Sequence, residues 1–219
     1  NVVTVDLGKI RQNYLLQKSL LPRNTEIMPV VKADAYGHGM TQVATALHSM
    51  GAKHFATALA EEGVELRETG ISGEILVLGP AMEEAAEECV RHELTQTVFT
   101  PEMVETLEKE AEKQQRDALI HIKLDTGMGR IGLRTFQEAE KLAEALNHAP
   151  HVKATGIYTH FCLADEQLEN GGINAFTRQQ LARFRELRSC FDPAIPAHVS
   201  NSAMGLLMPE GNFAMVRQG

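Results

Sequence analysis

The stretch that decides the fold runs from residue 54 to residue 78 and reads HFATALAEEGVELRETGISGEILVL. Two short apolar runs, His54–Leu59 and Glu74–Leu78, flank a segment of helical period, Ala60–Thr69. Strands that read as continuous apolar runs and alternate with helices are typical of a parallel sheet whose faces are covered by helices. This stretch therefore predicts a β-α-β unit with parallel strands.

The same alternation continues along the chain. The eight predicted strands are Ile27–Lys32, His54–Leu59, Glu74–Leu78, Thr95–Thr100, Leu119–Leu124, Lys153–Phe161, Pro196–Ser200 and Phe213–Val216. The predicted helices are Leu7–Leu20, Met40–Met50, Ala60–Thr69, Met82–Arg91, Pro101–Gln115, Phe136–Asn147, Phe176–Cys190 and one that opens at Asn201. This pattern predicts an α/β protein with one domain over residues 1–219, a (β/α)8 TIM-type barrel, for which roughly 250 residues is usual. A doubly wound open sheet is the alternative. Because no eighth helix follows the last run, we expect the barrel to be truncated near the eighth strand.

Composition excludes several classes of protein. The chain is 43% hydrophobic and 23% charged, as ordinary globular proteins are. Its net charge of −8 argues against nucleic acid or an anionic membrane surface as a partner. No apolar run approaches the roughly 20 residues that span a bilayer, and the first residues lack the basic and apolar regions of a signal peptide. The three scattered cysteines lack metal-ligand spacing and suit a reducing compartment. We therefore predict a cytoplasmic protein without a metal site.

Residues with chemical potential cluster where the predicted strands end. In such barrels the loops at the carboxyl ends of the strands build the functional face. The candidates are Lys32 at the end of strand one, Arg130 after strand five, His160 in strand six, Asn201 and Ser202 after strand seven, and Arg217 and Gly219 after strand eight. We expect these residues to meet at one end of the barrel.

Lys32 closes an apolar run and precedes Ala-Asp-Ala-Tyr-Gly-His-Gly. A lysine at the end of a buried strand can extend its ammonium group into solvent. It can instead form a Schiff base with an aldehyde. Arg130 lies in a glycine-rich loop and either makes a surface salt bridge or binds a carboxylate or phenolic oxygen. Lys123 alternates with apolar neighbours and points inward, where a cation near Arg130 is unfavourable unless something neutralises it.

The remaining candidates also allow two interpretations. His160 is either a structural histidine or a ring that stacks on a flat ligand or acts as an acid or base. Asn201 and Ser202 either cap a helix or bind an anion. Barrels often hold phosphate in the loops after strands seven and eight, where Ser202 and Gly219 lie. A lysine for an aldehyde and a phosphate site on one face together suggest pyridoxal phosphate.

The motifs resemble those of the alanine racemase family over essentially the whole chain. Val-Val-Lys-Ala-Asp-Ala-Tyr-Gly-His-Gly (30–39) resembles its cofactor-lysine signature, and Lys-Leu-Asp-Thr-Gly-Met-Gly-Arg-Ile-Gly, Thr-His-Phe and Ser-Asn-Ser-Ala follow in the same order. The resemblance implies racemisation of L-alanine to D-alanine, a peptidoglycan precursor, through a Schiff base with pyridoxal 5'-phosphate. It also implies that Lys32 anchors the cofactor and is one of two catalytic bases. Tyr36, Ser202 and the backbone of Gly219 would bind the phosphate, and Arg130 the phenolic oxygen and the substrate carboxylate.

Five further positions match the family. Lys123 occupies a position that is carbamylated in many members, and a carbamate would remove the conflict with Arg130. His160 would pack against the pyridine ring. Arg217 would face the pyridine nitrogen, with His198 and Asn201 in support. A guanidinium there disfavours protonation of that nitrogen. This would weaken the cofactor as an electron sink and limit side reactions.

The chain departs from the family at the second base. In alanine racemases this is a tyrosine from a C-terminal β domain, supplied by the partner subunit of a homodimer. None of Tyr14, Tyr36 and Tyr158 matches that position, and we expect the C-terminal domain to be absent and this chain alone to be inactive.

A serine racemase of the same family and a non-catalytic, single-barrel cofactor-binding protein stay open as alternatives. A decarboxylase of this barrel class would be expected to carry an acid where Arg217 stands.

Overall fold

The computed structural model describes residues 2–80, 83–164, 166 and 172–219. The helices are α1 (Leu7–Leu20), α2 (Lys32–Gly37), α3 (Met40–His48), α4 (Ala60–Glu68), α5 (Glu83–Arg91), α6 (Pro101–Gln114), α7 (Phe136–Asn147), α8 (Ala175–Arg188) and α9 (Ser202–Leu207). The strands are β1 (Glu26–Pro29), β2 (His54–Thr57), β3 (Glu74–Pro80), β4 (Thr95–Val98), β5 (Ala118–Lys123), β6 (Val152–Tyr158), β7 (Ala197–His198) and β8 (Met215–Gln218). A short 3-10 turn, Pro209–Gly211, precedes β8.

The eight strands are parallel and close into a barrel. Strands β2 to β7 form one sheet in chain order, and β8 pairs with β1. A bridge between Val30 and Ala56 joins β1 to β2. The amide of Ala214 donates to the carbonyl of Ala197 at 2.9 Å and joins β8 to β7. The TIM-type barrel is confirmed, and the eighth strand lies two residues later than its predicted bounds.

Alternation along the strands separates two environments. Phe55, Ile75 and Val216 point outward and share a buried cluster with Leu47 of α3 and Leu66 of α4. A separate buried cluster holds the inward-facing side chains Met28, Ala56, Leu76 and Met215. Apolar side chains on the outer face of the sheet therefore pack against the helices, and a second apolar cluster fills the inside of the barrel.

Side-chain caps set the start of several helices. The Asp6 carboxylate accepts from the amide of Lys9 at the start of α1, and Thr100 and Asn174 cap α6 and α8 in the same way. Thr135 and Glu138 form a reciprocal capping box at the start of α7. Such caps satisfy amides that have no partner inside the helix, which is why these starts agree with the predicted ones within a residue or two. In the described part of the chain, no helix has the length and apolarity needed to cross a membrane.

Candidate functional site

A cavity of about 450 Å³ opens at the carboxyl ends of the strands. This volume lies in the range of small-molecule sites, roughly 300–1,000 Å³. Its wall contains nine of the ten candidate residues: Lys32, Tyr36, Lys123, Arg130, His160, Asn201, Ser202, Arg217 and Gly219. The tenth, His198, is fully buried behind Arg217. The barrel thus brings together residues that lie up to 187 positions apart in the sequence.

The first strand ends earlier than predicted, so the expectation that Lys32 closes it is wrong. Strand β1 ends at Pro29, and Lys32 begins α2. From Ala33 to Tyr36 this turn is left-handed, with φ between 50 and 54°. Each L-residue costs about 1–2 kcal/mol in that conformation. The turn displaces Lys32 from the strand, leaves it half-buried and directs both Lys32 and Tyr36 to the cavity wall.

Two carboxylates hold the left-handed turn. Oε1 of Glu62 accepts from the amide of Ala33 at 2.6 Å, while its Oε2 accepts from the amide of Ala58 at 2.7 Å. Oδ1 of Asp34 accepts from the amide of Met40 at 2.7 Å, which ties the turn to the start of α3. Hydrogen bonds to carboxylates are stronger than neutral ones, and they offset part of the backbone strain.

The glycine-rich loop that carries Arg130 is organised by Asp125. Oδ1 of Asp125 accepts from the amides of Gly127 at 3.1 Å and Gly129 at 3.0 Å, and Oδ2 lies 3.2 Å from Nε of Arg134. Burial opposes ionisation of this carboxyl, but the two amide hydrogen bonds, Arg134 and the nearby Lys123 lower its pKa. The loop closes because the amide of Asp125 donates to the carbonyl of Leu133 at 2.8 Å.

Lys123 is 3% exposed, and its ammonium lies inside the cavity wall. Nζ donates to the carbonyl of Leu124 at 2.8 Å and lies 5.1 Å from the centre of the Tyr158 ring. Burial lowers the pKa of Lys123 to about 7, and the positive charges of Arg217 and Arg130 act in the same direction. A substantial fraction of this amine is therefore neutral near physiological pH.

Arg217 is 4% exposed and is held by neutral acceptors. One terminal nitrogen donates to Nδ1 and to the carbonyl of His198, both at 2.8 Å. The other donates to the carbonyls of Thr159 at 2.6 Å and Val199 at 3.2 Å. Burial lowers the pKa of Arg217 to about 10, so the guanidinium stays charged at neutral pH.

Three rings pack beside this guanidinium. Tyr158 stacks on His198 with ring centres 4.7 Å apart, and burial raises the pKa of its phenol to about 12. Burial, followed by the charge of Arg217, lowers the pKa of His160 to about 3 and that of His198 well below its usual range. Both imidazoles are thus neutral, and His160 presents an uncharged ring to the cavity.

The loops after β7 and β8 meet at Ser202 and Gly219. The amide of Gly219 donates to Oγ of Ser202 at 3.2 Å. Asn201 acts as a helix cap, because its Oδ1 accepts from the amide of Met204 at 3.1 Å. Its Nδ2 donates to the carbonyl of Phe161 at 3.3 Å, yet the residue also lines the cavity. Both interpretations of Asn201 given above are therefore compatible with its position.

The sequence also matches a known family profile, described as alanine racemase, N-terminal domain, over residues 5–219. The chain belongs to the alanine racemase family. The alanine racemase of Carboxydothermus hydrogenoformans is 39% identical over 219 residues, which cover 98% of this chain and 57% of that relative. The chain thus spans less than three-fifths of the length of such relatives.

Solved alanine racemases have the same barrel. One from Clostridium difficile aligns with a TM-score of 0.91 at 32% identity, covering 100% of this chain and 58% of that one. The alanine racemase from Bacillus anthracis, solved with bound L-Ala-P, aligns with a TM-score of 0.90 at 34% identity, covering 98% of this chain and 55% of that one.

The cavity of this alanine racemase family member is strongly positive. Lys32, Lys123, Arg130 and Arg217 all line it, whereas no aspartate or glutamate of the described residues does. Within that same part of the chain, none of the four cations forms an ion pair. Burial without a carboxylate partner is unfavourable for Arg217 and Lys123, so the cavity is suited to a ligand that carries several negative charges.

Sequence reasoning missed three residues that shape the site. Strand β6 ends at Tyr158, so His160 lies two positions after the strand and not in it as predicted. The period of two along an extended chain could still have placed the side chains of Tyr158 and His160 on the same face. Asp125 lies inside the glycine-rich motif, but its hydrogen bonds depend on the folded loop. Glu62 gave no signal, because it reaches Ala33 from a helix that lies 29 positions further along the chain.

Proposed function

We propose that residues 1–219 form the pyridoxal-5'-phosphate-binding barrel of an enzyme that interconverts L-alanine and D-alanine. The observation that carries this proposal is the cavity itself. It combines the amine of Lys32 with three further cations, and no acid lines it among the described residues. An amine for the aldehyde and positive charge for the phosphate, the phenolic oxygen and a substrate carboxylate are what such a reaction requires.

The donors around the cavity fit the cofactor. Lys32 would hold its aldehyde carbon. The hydroxyls of Tyr36 and Ser202 and the amide of Gly219 would hold its phosphate. The neutral ring of His160 would pack on its pyridine, and Asn201 would support that side of the site. Lys123 and Arg217, both buried and without a carboxylate partner in the described chain, give independent support for an anionic occupant.

When bound, pyridoxal phosphate supplies an electron sink that acidifies the Cα–H bond of an attached amino acid. Nζ of Lys32 would accept that proton on one face and return it there. Arg130 would orient the substrate through its carboxylate, since a guanidinium binds a carboxylate in a planar, bidentate way. The apolar side chains Leu78, Pro80 and Ile131 would help to exclude water from the cavity.

Arg217 supports racemisation over decarboxylation. Its charge persists at neutral pH and disfavours a second positive charge on the pyridine nitrogen. Neutral His198 accepts from Arg217 and fixes its orientation. An acidic residue in this position would instead favour the protonated ring. Among the described residues that line the cavity there is none.

The second base is proposed to come from the partner subunit of a homodimer. Lys32 reaches one face of a substrate only, whereas inversion needs a proton on the opposite face. Tyr158 is buried, and its hydroxyl lies 2.7 Å from Oγ1 of Thr97, which itself donates to the carbonyl of Val77. Tyr14 is 4% exposed and does not line the cavity. Alanine is the proposed substrate because the Bacillus anthracis relative was solved with L-Ala-P.

Lys123 is proposed to be carbamylated. Its neutral amine would attack carbon dioxide, forming a carbon–nitrogen bond and releasing one proton, so that a carbamate anion replaces the ammonium. The pKa of about 7 supports this because only the neutral amine reacts. A carbamate would turn the repulsion between Lys123 and Arg130 into attraction and so help to hold the loop over the cavity.

Borohydride reduction in the presence of pyridoxal phosphate, followed by peptide mass mapping, tests the cofactor assignment. We expect a phosphopyridoxyl adduct on Lys32. It should be lost in Lys32→Arg and kept in the matched control Lys53→Arg, which changes an exposed lysine outside the cavity. A folded chain without an adduct at Lys32 would contradict the proposal.

Hydrogen exchange at Cα in deuterated water tests the reaction. With Lys32 as the only base, one enantiomer of alanine should exchange with retention, and serine should be compared in parallel. Equal exchange of both enantiomers would show a second base in this chain. Cofactor binding without any exchange would indicate a non-catalytic carrier.

A further inference from the structure

A line of polar side chains, buried at His121, His198 and Arg217, crosses the barrel from Arg217 to the amino ends of the strands. Nδ1 of His198 lies 2.8 Å from Arg217, and its Nε2 lies 2.9 Å from Nδ1 of His121. Nε2 of His121 lies 2.9 Å from Oε1 of Glu74. The other carboxylate oxygen, Oε2, accepts from Nδ1 of His54 at 2.8 Å. Both His121 and His198 are completely buried.

Only one arrangement of protons satisfies the inner part of this line. A guanidinium can only donate, so Nδ1 of His198 must accept and its proton must lie on Nε2. That proton points to Nδ1 of His121, which must also accept and therefore carries its own proton on Nε2. This N–H faces Glu74, although it is not well aligned with Oε1, and no other acceptor among the described residues pairs with it.

We propose that Glu74 is a positioning residue for Arg217, which it controls through the tautomers of His121 and His198. The carboxylate fixes the proton of His121 on Nε2, and His121 in turn leaves His198 free to present a lone pair to the guanidinium. Without an acceptor at position 74, the two rings can reverse. Nδ1 of His198 would then carry a proton that faces the donors of Arg217, and the guanidinium would move.

The charge of Glu74 has a second effect. Its side chain is 18% exposed, and burial opposes its ionisation, but the adjacent rings of His121 and His54 hold its pKa well below the ordinary range. It is therefore an anion inside the barrel, joined through two neutral rings to the buried cation Arg217. Glu74 thus partly balances the charge of Arg217 from a distance, without placing its carboxylate in the wall of the cavity.

Nuclear magnetic resonance of the histidine rings tests this directly. Long-range 1H–15N spectra distinguish the two neutral tautomers and the cation, and single His→Gln variants assign the signals. At about pH 7 we expect His121 and His198 both to be neutral with the proton on Nε2. A cationic His198, or one with the proton on Nδ1, would overturn the proposal whether or not the chain binds pyridoxal phosphate.

Two substitutions separate the acceptor from the charge. Glu74→Gln keeps an acceptor for His121, so the tautomers of His121 and His198 should persist while the signal of His54 moves. Glu74→Met removes the acceptor and should produce mixed tautomers at both rings. The matched control is Glu108→Met, because Glu108 binds Nδ1 of His151 at 2.7 Å, does not line the cavity and has a similar side-chain exposure, 14%.

Affinity for pyridoxal phosphate gives a second readout, and this part rests on the proposed function. Glu74→Met should weaken binding about tenfold, because the misplaced group is charged, while Glu74→Gln should change it only about two- to threefold. Glu108→Met should leave it unchanged.

If the unsubstituted chain binds no cofactor, the proposed function fails and the tautomers still decide this inference. If it binds cofactor and Glu74→Met alters neither tautomers nor affinity, the inference is wrong. Should Glu74→Met not fold, Glu74→Ala removes the same acceptor, and unchanged tautomers at both rings in that variant would refute the inference.

Discussion

Substitution of Asp125 should loosen the loop that carries Arg130. The side chain of Asp125 is 2% exposed and accepts two amide hydrogen bonds, from Gly127 and Gly129, besides its contact with Arg134. Asp125→Ala removes all three interactions. Asp125→Asn keeps one oxygen for the two amides and loses the charge and the contact with Arg134. Comparison of the two variants therefore separates loop geometry from electrostatics.

The magnitude follows from these contacts. Each amide hydrogen bond is worth about 0.5–1.5 kcal/mol net, with more for a charged acceptor. Gly127 and Gly129 are exposed, so water can replace part of what they lose. The Arg134 side chain is 57% exposed, and such ion pairs contribute about 0–1 kcal/mol. We expect Asp125→Ala to lower the free energy of unfolding by about 2–3 kcal/mol and Asp125→Asn by about 1 kcal/mol.

Urea unfolding at several pH values measures both the contribution of the amide hydrogen bonds and that of the Asp125 charge to the free energy of unfolding. The pKa of Asp125 is lower in the folded chain than in the unfolded one. Its contribution is therefore complete above the unfolded pKa, near 4, and disappears as the pH falls through the folded pKa. The difference between the original chain and Asp125→Ala should shrink in that acidic window. The reasoning would be refuted if Asp125→Asn were as destabilising as Asp125→Ala, or if Asp125→Ala had an effect below about 0.5 kcal/mol.

Three further predictions concern Lys123 and the glycine-rich loop. Because the folded pKa of Lys123, about 7, lies below its unfolded value, stability should rise with pH above 7 until the unfolded lysine also loses its proton. In the original chain, 13C-labelled bicarbonate should give a carbamate signal and raise the melting temperature. An equal rise of the melting temperature in Lys123→Met would contradict carbamylation of Lys123. Gly132 has φ of 123°, and a Cβ there would lie 2.6 Å from the amide nitrogen of Asp125, whereas a Cβ on Gly129 would meet nothing within 4 Å. In thermal unfolding, Gly129→Ala should cost about 1 kcal/mol, and Gly132→Ala should be clearly more destabilising. Equal effects would argue against a steric clash between a Cβ at position 132 and the amide of Asp125.

Much of the fold could be predicted from the sequence because its signals are local. The apolar runs predicted all eight strands, and the capping residues Asp6, Thr100 and Thr135 come directly before predicted helices. A parallel barrel with its functional residues at the strand ends follows from that pattern and from chain length. The candidates Lys32, Arg130 and Arg217 could thus be chosen before their distances were known.

Other features depend on contacts between distant parts of the chain. The left-handed turn after β1 conflicts with the local preference of Ala33 to Tyr36. It forms where Glu62 binds the amide of Ala33 and where Asp34 binds the amide of Met40 at the start of α3. Strand β1 ends at Pro29, three residues before its predicted end, because this turn begins at Lys32.

The buried line from Glu74 to Arg217 could not be inferred from the sequence either. Its four residues lie on four different strands, β3, β5, β7 and β8, and their spacing in the chain carries no regular period. Sequence by itself determined which side chains face inward, because alternation along a strand is a local property. Only the tertiary structure decided which of them meet, because closure of the barrel sets the distances between strands and excludes the water that would otherwise satisfy each polar group.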